Sequence, residues 1–496
     1  MFAVPSPSAQ STITTNRGRI LFFGGLFAVL LAAHLRHAGV LWAEEDLPLA
    51  AALAMKRGAV IYRDVWFDKP PLVPAIYLLW GAAIGPALRV AGAIYALAAC
   101  GFAYGIASTL WSRREGYVAA ALMGFFLTFD THSAVLPLAA DLLLLVPHLA
   151  AIYFAVQRKP FWCGVAAGVG FLCNAKAVLV LAICGVFVWP SVLPLAAGFT
   201  VPNLIGLGWL WAAGALPFYI DQVWRWPSLY AGSPVVSDPV WNGLLRTLNW
   251  AGFHAAIVIA AVWFWVREGQ WKFVAWAVVC YAGVVLGWRF FPRYFFLVLP
   301  VLVVSAAGAV ASSRSAAARR EGGSAPPAGD GRPERAPRPI FLLAVLLVVP
   351  FVRFVPRYVS LSNWSDLALD SDSRAASKIV QSLAPAGASL YVWGYRPEIF
   401  VYTGLKPATR YLECQAMTGV PADRHLTQST VVLTDGTHAA REELAHSEPD
   451  VLVDGLSLYN PALAMANYPE LRSWLLQYRE AARTKGAIIY LRTKMR

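Results

Sequence analysis

The stretch PPLVPAIYLLWGAAIG, residues 70–85, decides how the rest of the chain is arranged. It is apolar enough to suggest a membrane span, but a spanning helix needs about 20 such residues, and this one is short and opens on two prolines. An interfacial helix lying along the membrane fits it better. If it crossed, every later loop would change sides. Held out of the bilayer, it leaves Arg113 and Arg114, Arg158 and Lys159, Arg267 and Lys272, and the cluster Arg314, Arg319, Arg320, Arg332, Arg335 and Arg338 all on the side of the N-terminus. Positive residues gather on the cytoplasmic side, so that side is cytoplasmic.

The composition agrees with a membrane protein. The chain has 496 residues, 58% of them hydrophobic and only 14% charged, with a mean hydropathy of +0.55; soluble domains are roughly 45–50% apolar. The net charge of +13 lies in short clusters between apolar runs, the pattern of topology determinants, which argues against a nucleic-acid partner. Five cysteines lie inside apolar runs and Cys414 in a polar region, so neither a disulfide framework nor paired metal-ligand spacing is visible. Arg17 and Arg19 precede an apolar run too long for a signal-peptide core, which reads as a retained first span after a cytoplasmic N-terminus, residues 1–18.

Apolar runs near 20–42, 88–110, 116–131, 140–156, 160–175, 177–190, 192–213, 248–266, 271–288, 294–312 and 339–356 predict about eleven transmembrane helices. Together they form a polytopic α-helical membrane domain over 19–356, with a first external loop at 42–87 and a Gly/Pro/Ala/Arg-rich cytoplasmic linker at 313–339. From 357 to 496 the polarity is ordinary. Strand-like stretches at 388–394, 429–435, 450–458 and 487–493 alternate with helical ones at 373–384, 437–446 and 467–482, predicting a small α/β domain. An eleventh span places that domain outside the cytoplasm.

The charges on the outer side are the candidates for chemistry, because charge at a membrane border is costly. They include Glu44, Glu45 and Asp46 at the start of a short helix predicted at 46–57, then Asp64, Asp68 and Lys69, then Asp141, Lys176, Arg289 and Arg293 with Tyr294. Helix capping alone can explain acidic residues at a helix start. Interfacial anchoring can explain arginine and tyrosine at a border.

The stretch WAEEDLPLAAALAMKRGAVIYRDVWFDKPPL (42–72) resembles the first external loop of bacterial membrane glycosyltransferases related to dolichyl-phosphate-mannose protein mannosyltransferases and to the lipid A aminoarabinose transferase. These belong to the C-type glycosyltransferase superfamily. Their loop carries Asp-Glu, a glycine, Pro-Tyr-x-Asp and Lys-Pro-Pro; here Glu44 and Glu45 stand at the acidic pair, followed by Tyr62, Asp64, Asp68 and Lys69. LPLAADLLLLVP (136–147) is similar to the family's second acidic site and selects Asp141. GVGFLCNAKAVLVLA (168–182) selects Lys176, and GWRFFPRYFFLVLP (287–300) selects Arg289, Arg293 and Tyr294, with arginine at 293 where relatives often have histidine. LYVWGYRPEIFVYTGLKPATRY (390–411) resembles the family's external tail domain.

The resemblance implies sugar transfer, with inversion, from a polyprenyl-phosphate donor to a hydroxyl of a glycan, lipid or protein. It implies a bacterial inner membrane as the location. A carboxylate must take the acceptor's proton, and Glu44 and Glu45 remain alternatives. Lys69, Lys176, Arg289, Arg293 and Tyr294 are the expected donor-phosphate side, with Asp64, Asp68 and Asp141 supporting. A divalent metal ion would require Glu44, Glu45, Asp64, Asp68 and Asp141 to converge; no spacing demonstrates this, and an obligatory metal is not expected. Two other classes share some of these features. A flippase or transporter of lipid-linked sugars would show internal repeats and midplane charge, which the chain lacks, and an inactive member would act through its tail domain alone.

Overall fold

The computed structural model describes residues 9–231, 238–321, 338–360, 365–421 and 426–493. Most of the predicted linker, and the first eight residues of the predicted cytoplasmic N-terminus, lie outside the described residues. Helix α1 (Ala9–Leu35) leads through a turn into α2 (Ala43–Lys56). The stretch that decides the topology folds as the four-residue helix α3 (Leu72–Ala75) followed by a five-residue 3-10 segment, Ile76–Trp80. Both are far too short to cross a bilayer. Three bonds hold the stretch in place: the Leu72 N–H donates to the Leu172 carbonyl at 3.0 Å, the Tyr77 hydroxyl to the Leu138 carbonyl at 3.1 Å, and Lys56 Nζ to the Gly81 carbonyl at 2.9 Å. Leu79 remains exposed, as on an interfacial helix.

Helix α4 (Pro86–Leu110) follows. Its apolar length, together with Arg17–Leu35 and Val192–Ala212, makes three helices long and apolar enough to cross a membrane among the described residues. Ala140–Val156, Pro160–Phe171, Ala177–Val188, Trp271–Val285 and Leu299–Ser313 are shorter apolar helices. Val192–Ala212 exposes Leu204, Ile205 and Trp211, and it packs closely on Pro160–Phe171. At that crossing a Cβ on Gly164 would lie 2.0 Å from the Leu195 carbonyl oxygen, and one on Gly198 would lie 2.0 Å from that of Phe161. Small residues let helix backbones approach in this way inside membranes.

The expected span at 248–266 takes another form. The run 248–266 is not a single helix: Pro239–Phe253 and Ala255–Glu268 meet at 93° around His254. The buried His254 ring sits at the bend, with Nε2 3.3 Å from Asp130 Oδ2.

The C-terminal domain carries a five-stranded sheet of order β2-β1-β3-β5-β4, built from β1 (Ser389–Trp393), β2 (Lys406–Pro407), β3 (Val451–Asp454), β4 (Tyr478–Arg483) and β5 (Ile488–Arg492). β1 is parallel to β2 and β3, while β5 runs antiparallel to β3 and β4. The stretches at 388–394, 450–458 and 487–493 contribute strands as expected. The stretch at 429–435 does not; it is extended, and its Val432 and Leu433 N–H groups both donate to the Gly419 carbonyl instead of joining the ladder. The expected helix at 467–482 stops at Leu475, and Tyr478–Arg483 becomes the edge strand of a hairpin with β5. Pairing with a neighbour outweighs the helical preference of Glu480, Ala481 and Ala482.

The domain docks on α2. Arg57 donates to the carbonyls of Gly404 (2.8 Å) and Leu405 (3.3 Å), and the Leu41 N–H donates to Asp370 Oδ1 at 3.3 Å. Deeper in, Arg89 of α4 forks onto Glu45 of α2, both side chains almost fully buried. The same guanidinium donates to the carbonyls of Val40 (2.8 Å), His37 (3.3 Å) and Leu136 (3.4 Å). Removing one partner of a buried ion pair strands the other charge, at a cost of about 3–5 kcal/mol. Arg89→Ala is therefore expected to lower thermal stability in detergent by about that amount, and well beyond the effect of Arg57→Ala; equal melting of the two variants would refute the pivotal position of Arg89.

Candidate active site

Helix α2 begins at Ala43, earlier than expected, because Glu45 Oε1 accepts the backbone N–H of Trp42 at 3.0 Å and closes the helix start. Glu44, Glu45 and Asp46 thus share the first turn. Successive residues on a helix point about 100° apart, and here Glu44 and Asp46 line one cavity while Glu45 does not. Glu45 turns inward to Arg89. Glu44 turns outward into a cavity of about 1340 Å³ that α2, the loop bearing Asp68 and Lys69, and the C-terminal domain all help to line.

That cavity gathers most of the expected residues: Glu44, Asp68, Lys69, Asp141, Lys176, Arg289, Arg293 and Tyr294 all line it. Arg293 joins two carboxylates, with Nη1 3.0 Å from Glu44 Oε1 and Nε 3.4 Å from Asp141 Oδ2. Asp141 in turn lies 3.6 Å from Lys176 Nζ and accepts from Asn174 Nδ2 at 3.0 Å. The Lys176 ammonium sits 3.3 Å from the centroid of the Tyr294 ring, a cation–π contact. Glu44, Arg293, Asp141, Lys176 and Tyr294 therefore form one continuous charged array. Its members come from α2, from Ala140–Leu143, from the start of Ala177–Val188 and from the 3-10 segment Pro292–Leu297.

Across the cavity stand Asp68 and Lys69, paired at 2.6 Å. Their loop is clamped from three directions. The Tyr62 hydroxyl donates to the Lys69 carbonyl at 2.7 Å. Gln222 accepts from the Phe67 N–H and donates to the Tyr62 carbonyl, both at 2.9 Å. The Trp66 N–H donates to the Arg410 carbonyl of the C-terminal domain at 2.8 Å.

Two expected residues lie elsewhere. Glu45 is enclosed with Arg89. Asp64 sits at the surface, ion-paired with Arg63 at 2.8 Å and accepting the Val60 N–H at 2.8 Å; the Arg63 guanidinium holds its carboxyl below the usual range. The five carboxylates considered for a divalent ion consequently do not converge, and Glu44, Asp68 and Asp141 each face a side-chain cation already. Among the described residues no group of three or more His, Cys, Asp or Glu is arranged to hold a metal ion.

Arg246 and Glu413 also line the cavity and were not among the expected residues. Arg246 lies just ahead of the expected span at 248–266. Glu413, in YLECQAM, is a single acid in a domain of ordinary polarity, and nothing local marks it. Arg89 carried a detectable signal: a lone arginine at the head of a long apolar run.

No protein-family model and no curated protein matches the sequence. Solved structures do match the fold. ArnT from Cupriavidus metallidurans bound to undecaprenyl phosphate is 16% identical, with 96% of this chain and 98% of that chain covered and a TM-score of 0.60. The apo state of ArnT gives the same identity and coverage with a TM-score of 0.57. The Archaeoglobus fulgidus oligosaccharyltransferase, tethered with an acceptor peptide containing the NVT sequon, is 9% identical, with 95% of this chain and 74% of that chain covered and a TM-score of 0.51. At these identities the likeness is one of fold, and it agrees with the fold that the sequence resemblance implies.

The clamp on the Tyr62–Lys69 loop is open to test. Gln222→Ala leaves the Phe67 N–H and the Tyr62 carbonyl without their buried partner, which is expected to cost about 1–3 kcal/mol. Faster proteolysis between residues 62 and 69 and a lower melting temperature are the expected readings.

Proposed function

We propose that the chain transfers a sugar from a polyprenyl-phosphate donor to an acceptor hydroxyl of a glycan, lipid or protein. The observation that carries this reading is the array Glu44–Arg293–Asp141–Lys176 at one wall of a cavity roomy enough for a sugar and its phosphate. It is supported by a fold shared, over 96% of the chain, with a protein crystallised with undecaprenyl phosphate. In this reading the chain makes about eleven spans, and the cavity and C-terminal domain face the extracytoplasmic side of a bacterial inner membrane. The transferred group is a hexosyl or pentosyl unit.

Glu44 is the proposed base. As the acceptor oxygen forms its bond to the sugar's anomeric carbon, the proton of that hydroxyl passes to the Glu44 carboxylate. The bond from the anomeric carbon to the phosphate oxygen breaks, its electron pair stays on the phosphate, and attack from the opposite face inverts the centre. Lys69, Lys176, Arg289 and Arg293 stabilise the phosphate as it gains charge, the arginines in a fork and the lysines as point charges. Tyr294 holds the Lys176 ammonium over its ring. Asp68 and Asp141 keep Lys69, Lys176 and Arg293 pointed into the cavity. Asp64 and Glu45 act on structure, through the loop and the helix start. With side-chain cations performing the charge work, no divalent ion is obligatory.

Purified protein in detergent, given a polyprenyl-phosphate sugar, is expected to release sugar from the lipid at a rate that chelators leave unchanged. Glu44→Gln is expected to cut turnover by about 10²–10⁴-fold with little change in melting temperature. Glu45→Gln is expected to act the other way round, mainly on stability. Undiminished turnover in Glu44→Gln would sink the base assignment. Lipid translocation in liposomes without sugar loss would favour a transporter.

A further inference from the structure

Glu413 stands apart from the other carboxylates of the cavity. It is 6% exposed and lines the same space as Glu44 and Lys69, and like Asp366 it comes from the C-terminal domain. Among the described residues no hydrogen bond or ion pair reaches its carboxyl, whereas Glu44, Asp68 and Asp141 are each held by a cation. Its carboxyl opens onto the cavity with no protein group holding it, so it is free to meet a polar group of a ligand there. The charged groups facing it are Asp68, Lys69 and Glu44, and the titratable groups packed around it are Cys414, Tyr391 and Tyr395.

We propose that Glu413 is a donor-binding residue added to the cavity by the C-terminal domain, its carboxyl O–H hydrogen-bonding a phosphate oxygen of the lipid-linked sugar beside Lys69. This rests on the polyprenyl-phosphate reading above. The chemistry is consistent at neutral pH. Burial, and then the nearby Asp68, push the Glu413 carboxyl up to about 8, against the pull of Lys69, which favours the protonated form at pH 7. A neutral carboxyl can donate, while an ionised one only accepts and would repel the phosphate. The bound phosphate, being negative, favours the protonated form further. The contact would also tie the C-terminal domain to a filled site, since without a donor Glu413 has nothing to hold.

The test is binding of undecaprenyl phosphate to the purified full-length chain in detergent, measured between about pH 6.5 and 9.5 for wild type, Glu413→Gln and Glu413→Ala. Wild-type affinity is expected to fall above about pH 8, as the folded-state proton is lost. Glu413→Gln keeps an N–H donor at every pH and is expected to bind nearly as wild type does at pH 7 but to lose that alkaline fall. Glu413→Ala is expected to bind about 10- to 100-fold more weakly at pH 7. A shared alkaline fall in wild type and Glu413→Gln, or unchanged affinity in folded Glu413→Ala, overturns the assignment while leaving the donor reading intact. No binding by wild type overturns both.

Discussion

The buried pair between Arg89 and Glu45 orders the parts of the membrane domain that matter for the cavity. A guanidinium removed from water needs every one of its donors used, and Arg89 uses them on Glu45 and on the carbonyls of His37, Val40 and Leu136. These acceptors belong to the turn after α1, the start of α2 and the loop that leads to Asp141. One side chain of α4 thus fixes the distance between the two acidic segments of the cavity. Glu45 is satisfied there and also caps Trp42, which sets the rotation of α2 and leaves Glu44 facing outward.

The cavity itself is a balance of charges supplied by separate elements. On one wall Arg293 and Lys176 share Asp141, and Arg293 also reaches Glu44. On the other Lys69 is held by Asp68. An anionic ligand entering between them meets cations already aimed inward, at no cost of gathering them, which is the condition under which fixed charges are most effective in a water-poor site. The C-terminal domain closes the space with Tyr395, Pro397 and Glu413, and it is fastened through Arg57, Asp370 and the Trp66–Arg410 backbone bond. The loop bearing Asp68 and Lys69 is therefore a joint between the two domains as well as a wall of the cavity.

How much of this was legible depends on how local the signal is. Residues 70–85 were readable as non-crossing because length and proline content are properties of the segment alone, and the short α3 and 3-10 pair agree. The strands with β-branched and aromatic runs were readable for the same reason. Tyr478–Arg483 was not, because its strand exists only through pairing with Ile488–Arg492. The break at His254 was not, because the apolar run 248–266 is continuous in the sequence and nothing local marks a bend there.

By itself the sequence determined that the chain is a helical membrane protein with a small polar α/β tail, and it marked out most of the charged residues that the fold gathers around the cavity. Those follow from hydropathy, from the clustering of arginines and from motif spacing, each a property of contiguous residues. Only the tertiary structure showed which of Glu44 and Glu45 faces the cavity. Two neighbours on a helix differ by about 100° in direction, and nothing within WAEED says which faces the cavity; that choice belongs to Arg89, which lies 44 positions from Glu45 along the chain. The tertiary structure likewise brought Glu413 into the cavity, since an unremarkable acid in a polar tail acquires a role only when the fold sets it beside Lys69 and Asp68.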